Sequence, residues 1–332
     1  MRLLVRRYSR VLWAVHSAWA LLTGIAVLVL AHNRYGFLRW VVIFIALTWG
    51  STLFVSRVAM SGQSRAIQFA RSVVSYFTRV MYQETLFFLI PFYFYSTTFP
   101  SWNCAYLVIL CGLAILSCFD LVFDRLLREN TAFAVGFFAF VSFSALQFFI
   151  PLLLRIRVDN GAYIAAGVAF AAAALLVLRW DGLRQPRRLA FLVVGTVAAL
   201  IAVRLMRPLL PPVPLRLTAV RFSAALDPRT LLAPLQYQDE IPIGTLRNGR
   251  LYAVATVFSP SRVPVRIQMR FLHDGKLLRS SRTAQLTANA NGFRVWDSLR
   301  APPAGFERGT YRVEVWTGAG QLVGRKAVRL TD

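Results

Sequence analysis

Glu84 stands at the head of an apolar run, QETLFFLIPFYFY (residues 83–95). Two more carboxylates, Asp120 and Asp124, lie in CFDLVFDRLLREN, where Arg125 and Arg128 follow them. A charge beside hydrocarbon costs several kcal/mol, roughly, unless it is paired or wet. Asp124 and Arg128 are four residues apart and can pair on one helix face. Asp120 and Asp124 share the same spacing, so two like charges crowd that face and need a cation from elsewhere. Arg79 is the candidate. It lies about 140° around the helix from Glu84, so those two meet different neighbours. Arg79, Glu84, Asp120, Asp124 and Arg128 therefore read as one intramembrane polar cluster. Such a cluster either ties two helices together at the inner interface or serves a polar headgroup, an ion or a proton.

No catalytic residue is assigned. The chain has no nucleophile elbow, no P-loop, no HExxH and no dinucleotide glycine pattern, and GAYIAAG (161–167) has no strand before it. No cofactor and no metal are implied. His16 and His32 lie away from the carboxylates, and Cys104, Cys111 and Cys118 are spaced by seven. Seven helical residues rise roughly 10 Å, too far to share a metal or a disulfide within one helix.

These residues need elements to hold them, and composition says which. Of 332 residues, 57% are hydrophobic and only 16% charged, where a soluble domain carries about a quarter charged. The excess lies before residue 210, in runs long enough to cross a bilayer, which takes about 20 apolar residues. Seven spans are expected: 11–31, 37–55, 80–99, 104–123, 131–154, 162–178 and 189–206. The first follows Arg2, Arg6, Arg7 and Arg10 and is too long for a cleaved leader, so it reads as an uncleaved signal anchor. The third opens amphipathic, with a polar stripe at Arg71, Ser75, Arg79 and Gln83, kinks at Pro91 and ends in an aromatic belt of Tyr93, Tyr95, Phe99 and Trp102. The sixth carries a row of small residues at Ala165, Ala169 and Ala173.

Thirteen loop arginines fall on one side: Arg2, Arg6, Arg7, Arg10, Arg57, Arg65, Arg71, Arg125, Arg128, Arg179, Arg184, Arg187 and Arg188. Only Arg34, Arg39, Arg155 and Arg157 fall on the other. The side rich in arginine is cytoplasmic by the positive-inside rule. The N-terminus is then cytoplasmic and the C-terminal region periplasmic. The net charge of +24 is explained by this orientation, and nucleic acid is not expected as a partner.

Residues 208–214, within RPLLPPVPLR, cannot continue a helix and read as a stiff linker between a helical domain (1–207) and a β domain (215–332). Val263, Val265, Ile267, Met269 and Phe271 alternate with polar residues, HDGK (273–276) supplies an Asp-Gly hairpin turn, and TGAG (317–320) marks another. Roughly seven short strands fit a small immunoglobulin-like sandwich. Arg266 and Arg270 point away from its core, and Arg279 and Arg282 on the paired strand extend that basic face. An envelope protein, an anionic lipid or a glycan fits there.

The combination QETLFFLIPFYFYSTTFPSWN, FDLVFDR and FLHDGKL with GFRVWDSL and GTYRVEVWTGAGQLVGRKAVRL resembles a family of multi-pass inner-membrane proteins from proteobacteria. That family is of unknown function and ends in an all-β domain. The resemblance implies this architecture and no activity. The expectation is a membrane α-helical bundle of about seven spans with a C-terminal β-sandwich. It sits in the bacterial inner membrane and anchors an interaction domain, and its oligomeric state is left open. The alternative is a lipid-modifying enzyme or transporter using Glu84, Asp120 and Asp124.

Overall fold

The computed structural model describes residues 47, 49–50, 65–178, 185–226, 239–246, 249–259, 264–286 and 292–332. Spans 11–31 and 37–55 lie outside these residues, apart from positions 47, 49 and 50, and so does most of the NANG turn. The described chain holds helices α1 (Arg65–Tyr95), α2 (Cys104–Ser117), α3 (Asp120–Glu129), α4 (Thr131–Leu154), α5 (Val158–Val177) and α6 (Pro186–Leu205). The strands are β1 (Arg216–Ser223), β2 (Glu240–Pro242), β3 (Arg250–Phe258), β4 (Val265–His273), β5 (Lys276–Ser280), β6 (Ala284–Leu286), β7 (Phe293–Arg300), β8 (Gly309–Thr317) and β9 (Leu322–Thr331).

The chain divides into two compact units. The first comprises residues 1–92, 107–150 and 161–204. Among the described residues, α4, α5 and α6 are each long and apolar enough to cross a membrane, and α2 with Val122–Glu129 makes a fourth if that bent pair is one span. Five of the seven expected spans fall among the described residues, which support three of them, or four; the other two lie outside. The run 80–99 does not qualify, because its apolar part begins only after Glu84 and α1 stops at Tyr95. The run 104–123 is not one straight helix: α2 ends at Ser117, and the chain turns by 103° into the segment carrying Asp124. α3 alternates exposed Arg125, Arg128 and Glu129 with buried Phe123, the pattern of a helix lying in an interface.

Aromatic rings form the first unit's core. Phe92 packs on Phe148 at 4.4 Å, Phe88 stacks on Phe149, and Tyr82 and Phe123 both meet Phe137 edge-on. The row Ala165, Ala169 and Ala173 is buried, as its small side chains require. Gly195 of α6 lies under the ring of Phe170, where any Cβ would collide. α6 leaves Leu189, Phe191, Val193, Val194, Val197 and Ile201 uncovered. A helix apolar all round and bare along its length matches hydrocarbon as its solvent.

The second unit contains the sheets, and it also contains Tyr93–Tyr106 and Pro151–Asn160. One sheet runs β1-β3-β7. The other runs β2-β9-β8-β4-β5, with β6 also on β4. All pairs are antiparallel except β2 with β9. The expected alternation in β4 is present: Val265, Ile267, Met269 and Phe271 are buried. They join Leu251, Ala253, Ala255, Val257, Val313, Val315, Val328 and Leu330 in the core. The β4–β5 hairpin turns through Asp274 and Gly275, both at positive φ (46° and 85°), as an Asp-Gly turn demands. Gly324 of β9 leaves room for Leu217 of β1, whose Cβ lies 2.6 Å from where a Cβ on Gly324 would stand.

The proline segment is not a free spacer. Residues 210–215 are buried, and Gln321 Nε2 donates to the carbonyl of Leu210 at 3.1 Å. Apolar prolines seek burial, and the amide of Gln321 satisfies a carbonyl that lacks a ladder partner.

Candidate functional site

Of the expected polar cluster, Asp124 and Arg128 do pair, at 3.0 Å. Arg125 pairs with Glu129 at 2.9 Å. Both are single-turn pairs within α3, so each pairing is local. Glu84 is half-buried, and among the described residues it makes no ion pair. The side chains of Arg79 and Asp120 lie outside the described residues. The link between α1 and the end of α2 comes from the neighbour of Glu84: buried Gln83 donates to the Cys118 sulfur at 3.1 Å. No group of His, Cys, Asp and Glu among the described residues is placed to hold a metal ion.

The four arginines of the expected basic face separate into three settings. Arg270 lays its guanidinium over the Trp316 ring at 4.7 Å, a cation–π contact. Arg279 pairs with buried Phe271, so it stands on the core side of β5 while remaining exposed at the edge. It donates to the carbonyl of Ser298 at 2.8 Å and meets Asp297 at 3.3 Å, both on β7 of the other sheet. The cause is the irregularity between Phe271 and Leu272, which shifts the hairpin register by one and so reverses facing. Arg282 falls past the end of β5 and is exposed. Arg266 is exposed, and its strand neighbours on the same face are Gln285 and the backbone of Gly318.

What the residue patterns did not announce is how the helix connections join the sheets. Asn103, 1% exposed, accepts from the Thr98 amide at 3.1 Å and donates to the Leu322 carbonyl of β9 at 3.3 Å. Arg325 of β9 donates to the Pro100 carbonyl. Arg216 of β1 lies over the rings of Phe258 and Tyr95 at 4.6 and 5.6 Å. Arg207 donates to the Ala319 carbonyl at 2.6 Å. These contacts all lie inside the second unit. The one available signal was the polar turn STTFPSWN, whose Asn is a poor choice for an apolar run unless its amide is used.

Near the β4–β5 turn, His273 stacks on Tyr311 at 4.3 Å, and its Nε2 lies 3.3 Å from Asp274. Burial, with the Glu307 and Asp274 carboxylates nearby, pushes the Tyr311 phenol above its ordinary pKa.

The family described as "Family of unknown function (DUF5924)" matches residues 1–253. The chain belongs to that family. The DUF5924 match spans the described helices and runs through β1 and β2 into β3. It therefore treats the helices and the first strands as continuous. No curated protein matches the chain.

Proposed function

We propose that this DUF5924 protein is an integral protein of the bacterial inner membrane. Its helices anchor a periplasmic β-sandwich of immunoglobulin-like kind, which contacts an envelope partner. The observation that carries this reading is the composition of the second unit. The chain passes from helix into that unit after Phe92, after Ile150 and after Arg204, and returns to helix twice. Successive apolar helices alternate direction, so the connections 93–106 and 151–160 and the strands belong on one side. The two described connections that the arginine count assigns to the periplasm are these same two. Exposed Phe94, Tyr95, Phe99 and Trp102 in the first of them suit a water–lipid boundary.

Protease added to intact spheroplasts tests the sidedness. It should remove the C-terminal region and leave a membrane-embedded N-terminal fragment. Protection of that region until lysis overturns the reading. A photo-crosslinker at Trp296, 41% exposed on β7, should give a discrete adduct in cells. Absence of adducts from positions around β1-β3-β7 removes the partner from the account.

One observation favours the second reading, an enzyme or transporter. Glu84 is half-buried without an ion pair among the described residues, and a carboxylate set among apolar helices without a partner can serve an ion or a proton.

A further inference from the structure

The second unit contains a pocket of about 380 Å³ lined by Arg157, Arg266, Thr283, Gln285 and Gly318. Its construction follows from local sequence. α4 ends at Leu154, and Arg155 takes positive φ (53°), the conformation that commonly closes a helix. The turn delivers Arg157 just before α5, whose first-turn Asp159 receives it at 3.0 Å. That bond occupies one Nη of Arg157. Its Nε is buried and has no hydrogen-bond partner. On the sheet, Arg266 and Gln285 are directly paired across β4 and β6 and so share a face. Gly318 donates its amide to the Arg266 carbonyl at 2.7 Å, and a Cβ there would come within 3.2 Å of Arg266 Cβ. The missing side chain keeps that wall of the pocket open. Among the described residues Arg266 has no ion-pair partner.

The geometry points to a binding site for the phosphodiester of an anionic phospholipid headgroup. Two guanidinium groups with an amide and a hydroxyl beside them make a fork suited to phosphate oxygens. Asp159 already offsets Arg157, which leaves Arg266 uncompensated, so a monoanion balances the lining better than a dianion. Depth selects the source. Leu153 and Leu154 are 48% and 61% exposed and end a helix that suits hydrocarbon. Three residues reach at most about 11 Å, which sets Arg157 at headgroup level. The choice of lipid as the source rests on the membrane reading above. Because the ligand below is supplied in solution, a failed binding test leaves sidedness to be judged by protease and reporter experiments.

The test uses the full chain in a neutral detergent, titrated with short-chain phosphatidylglycerol, short-chain phosphatidylcholine and inorganic phosphate at matched ionic strength. Phosphatidylglycerol should bind saturably, and the other two at least about tenfold more weakly. Arg266→Gln should weaken phosphatidylglycerol about tenfold, the loss expected for one charge-assisted contact. Gln285→Glu sets a carboxylate beside Arg266 at an exposed position and should do the same with an unchanged melting midpoint, which guards against a folding defect in the first variant. Unaltered affinity in both variants overturns the site. Equal binding of phosphatidylcholine overturns the requirement for net negative charge. Equal binding of inorganic phosphate overturns the lipid source and leaves a phosphate pocket.

Discussion

Replacing Asn103 with Ala should destabilise the second unit by about 3 kcal/mol. The side chain is 1% exposed and serves both sides of a contact between residues 96–103 and β9. Its Oδ1 accepts from the Thr98 amide and from Ser101 Oγ, and its Nδ2 donates to the Leu322 carbonyl. Ser101 is half-buried and can turn to water. Thr98 is buried, at 7%, and so is Leu322, also at 7%, so truncation leaves a backbone donor and a backbone acceptor without partners. Each such group costs about 1–3 kcal/mol, so about 3 kcal/mol for the two lies in the lower part of the range. For a unit of this size that is a fall of about 6–12 °C in the melting midpoint, at roughly 2–4 °C per kcal/mol. Asn103→Asp separates the two halves. It keeps both acceptor bonds, loses the donor and sets a carboxylate against a carbonyl, so it should cost at least about 1–2 kcal/mol. Urea unfolding of the full chain in detergent, followed by tryptophan fluorescence, reads both. If Asn103→Ala stays within about 0.5 kcal/mol of the parent, the range of an ordinary surface change, the connection is not held to β9 as described.

Three further outcomes follow from the same geometry. Gly324→Ala drives a methyl group into Leu217, whose Cβ is 2.6 Å away, and should cost about 1–3 kcal/mol in the same assay; a neutral result refutes the close approach of β9 to β1. Glu84→Gln has no ion pair to break among the described residues, so the amount of folded protein in membranes should stay at the parent level, and a large fall on quantitative blotting would reveal a structural partner. Tyr311 is held neutral in the folded state above its unfolded pKa of about 10. Stability from this group is therefore complete below about pH 10 and falls as pH rises from there through the folded value. Tyr311→Phe should flatten the alkaline part of the stability profile, and an unchanged slope contradicts the assignment.

Much of the β region was legible because its signals are local. The alternation in β4 and the Asp-Gly turn each sit within a few residues, and both appear as expected. Facing across the hairpin was not legible. Period-two counting puts Arg279 on the face of Arg270, but one irregular step at Phe271 and Leu272 sets it opposite Phe271 instead. The break after Ser117 was hidden for a different reason. CFDLVF continues an apolar run with no proline or glycine to mark a stop, so 104–123 looked like one span. The burial of the proline segment depends on Gln321, and the Arg157–Arg266 pocket depends on two residues far apart in the chain. Neither is visible to a pattern read along a single element. The polar cluster shows the same limit: the four-residue spacing found the Asp124–Arg128 pair, while a polar link from α1 to the end of α2 runs through Gln83 and Cys118.

The central claim is that the connection 96–103 and the β strands share the periplasmic side of the membrane. Fusions of a reporter active only in the periplasm, placed after Pro100, after Gln185 and after Asp332, measure it directly. Activity after Pro100 and Asp332 with none after Gln185 is the predicted result. Activity after Gln185, or opposite states for the Pro100 and Asp332 fusions, would contradict it.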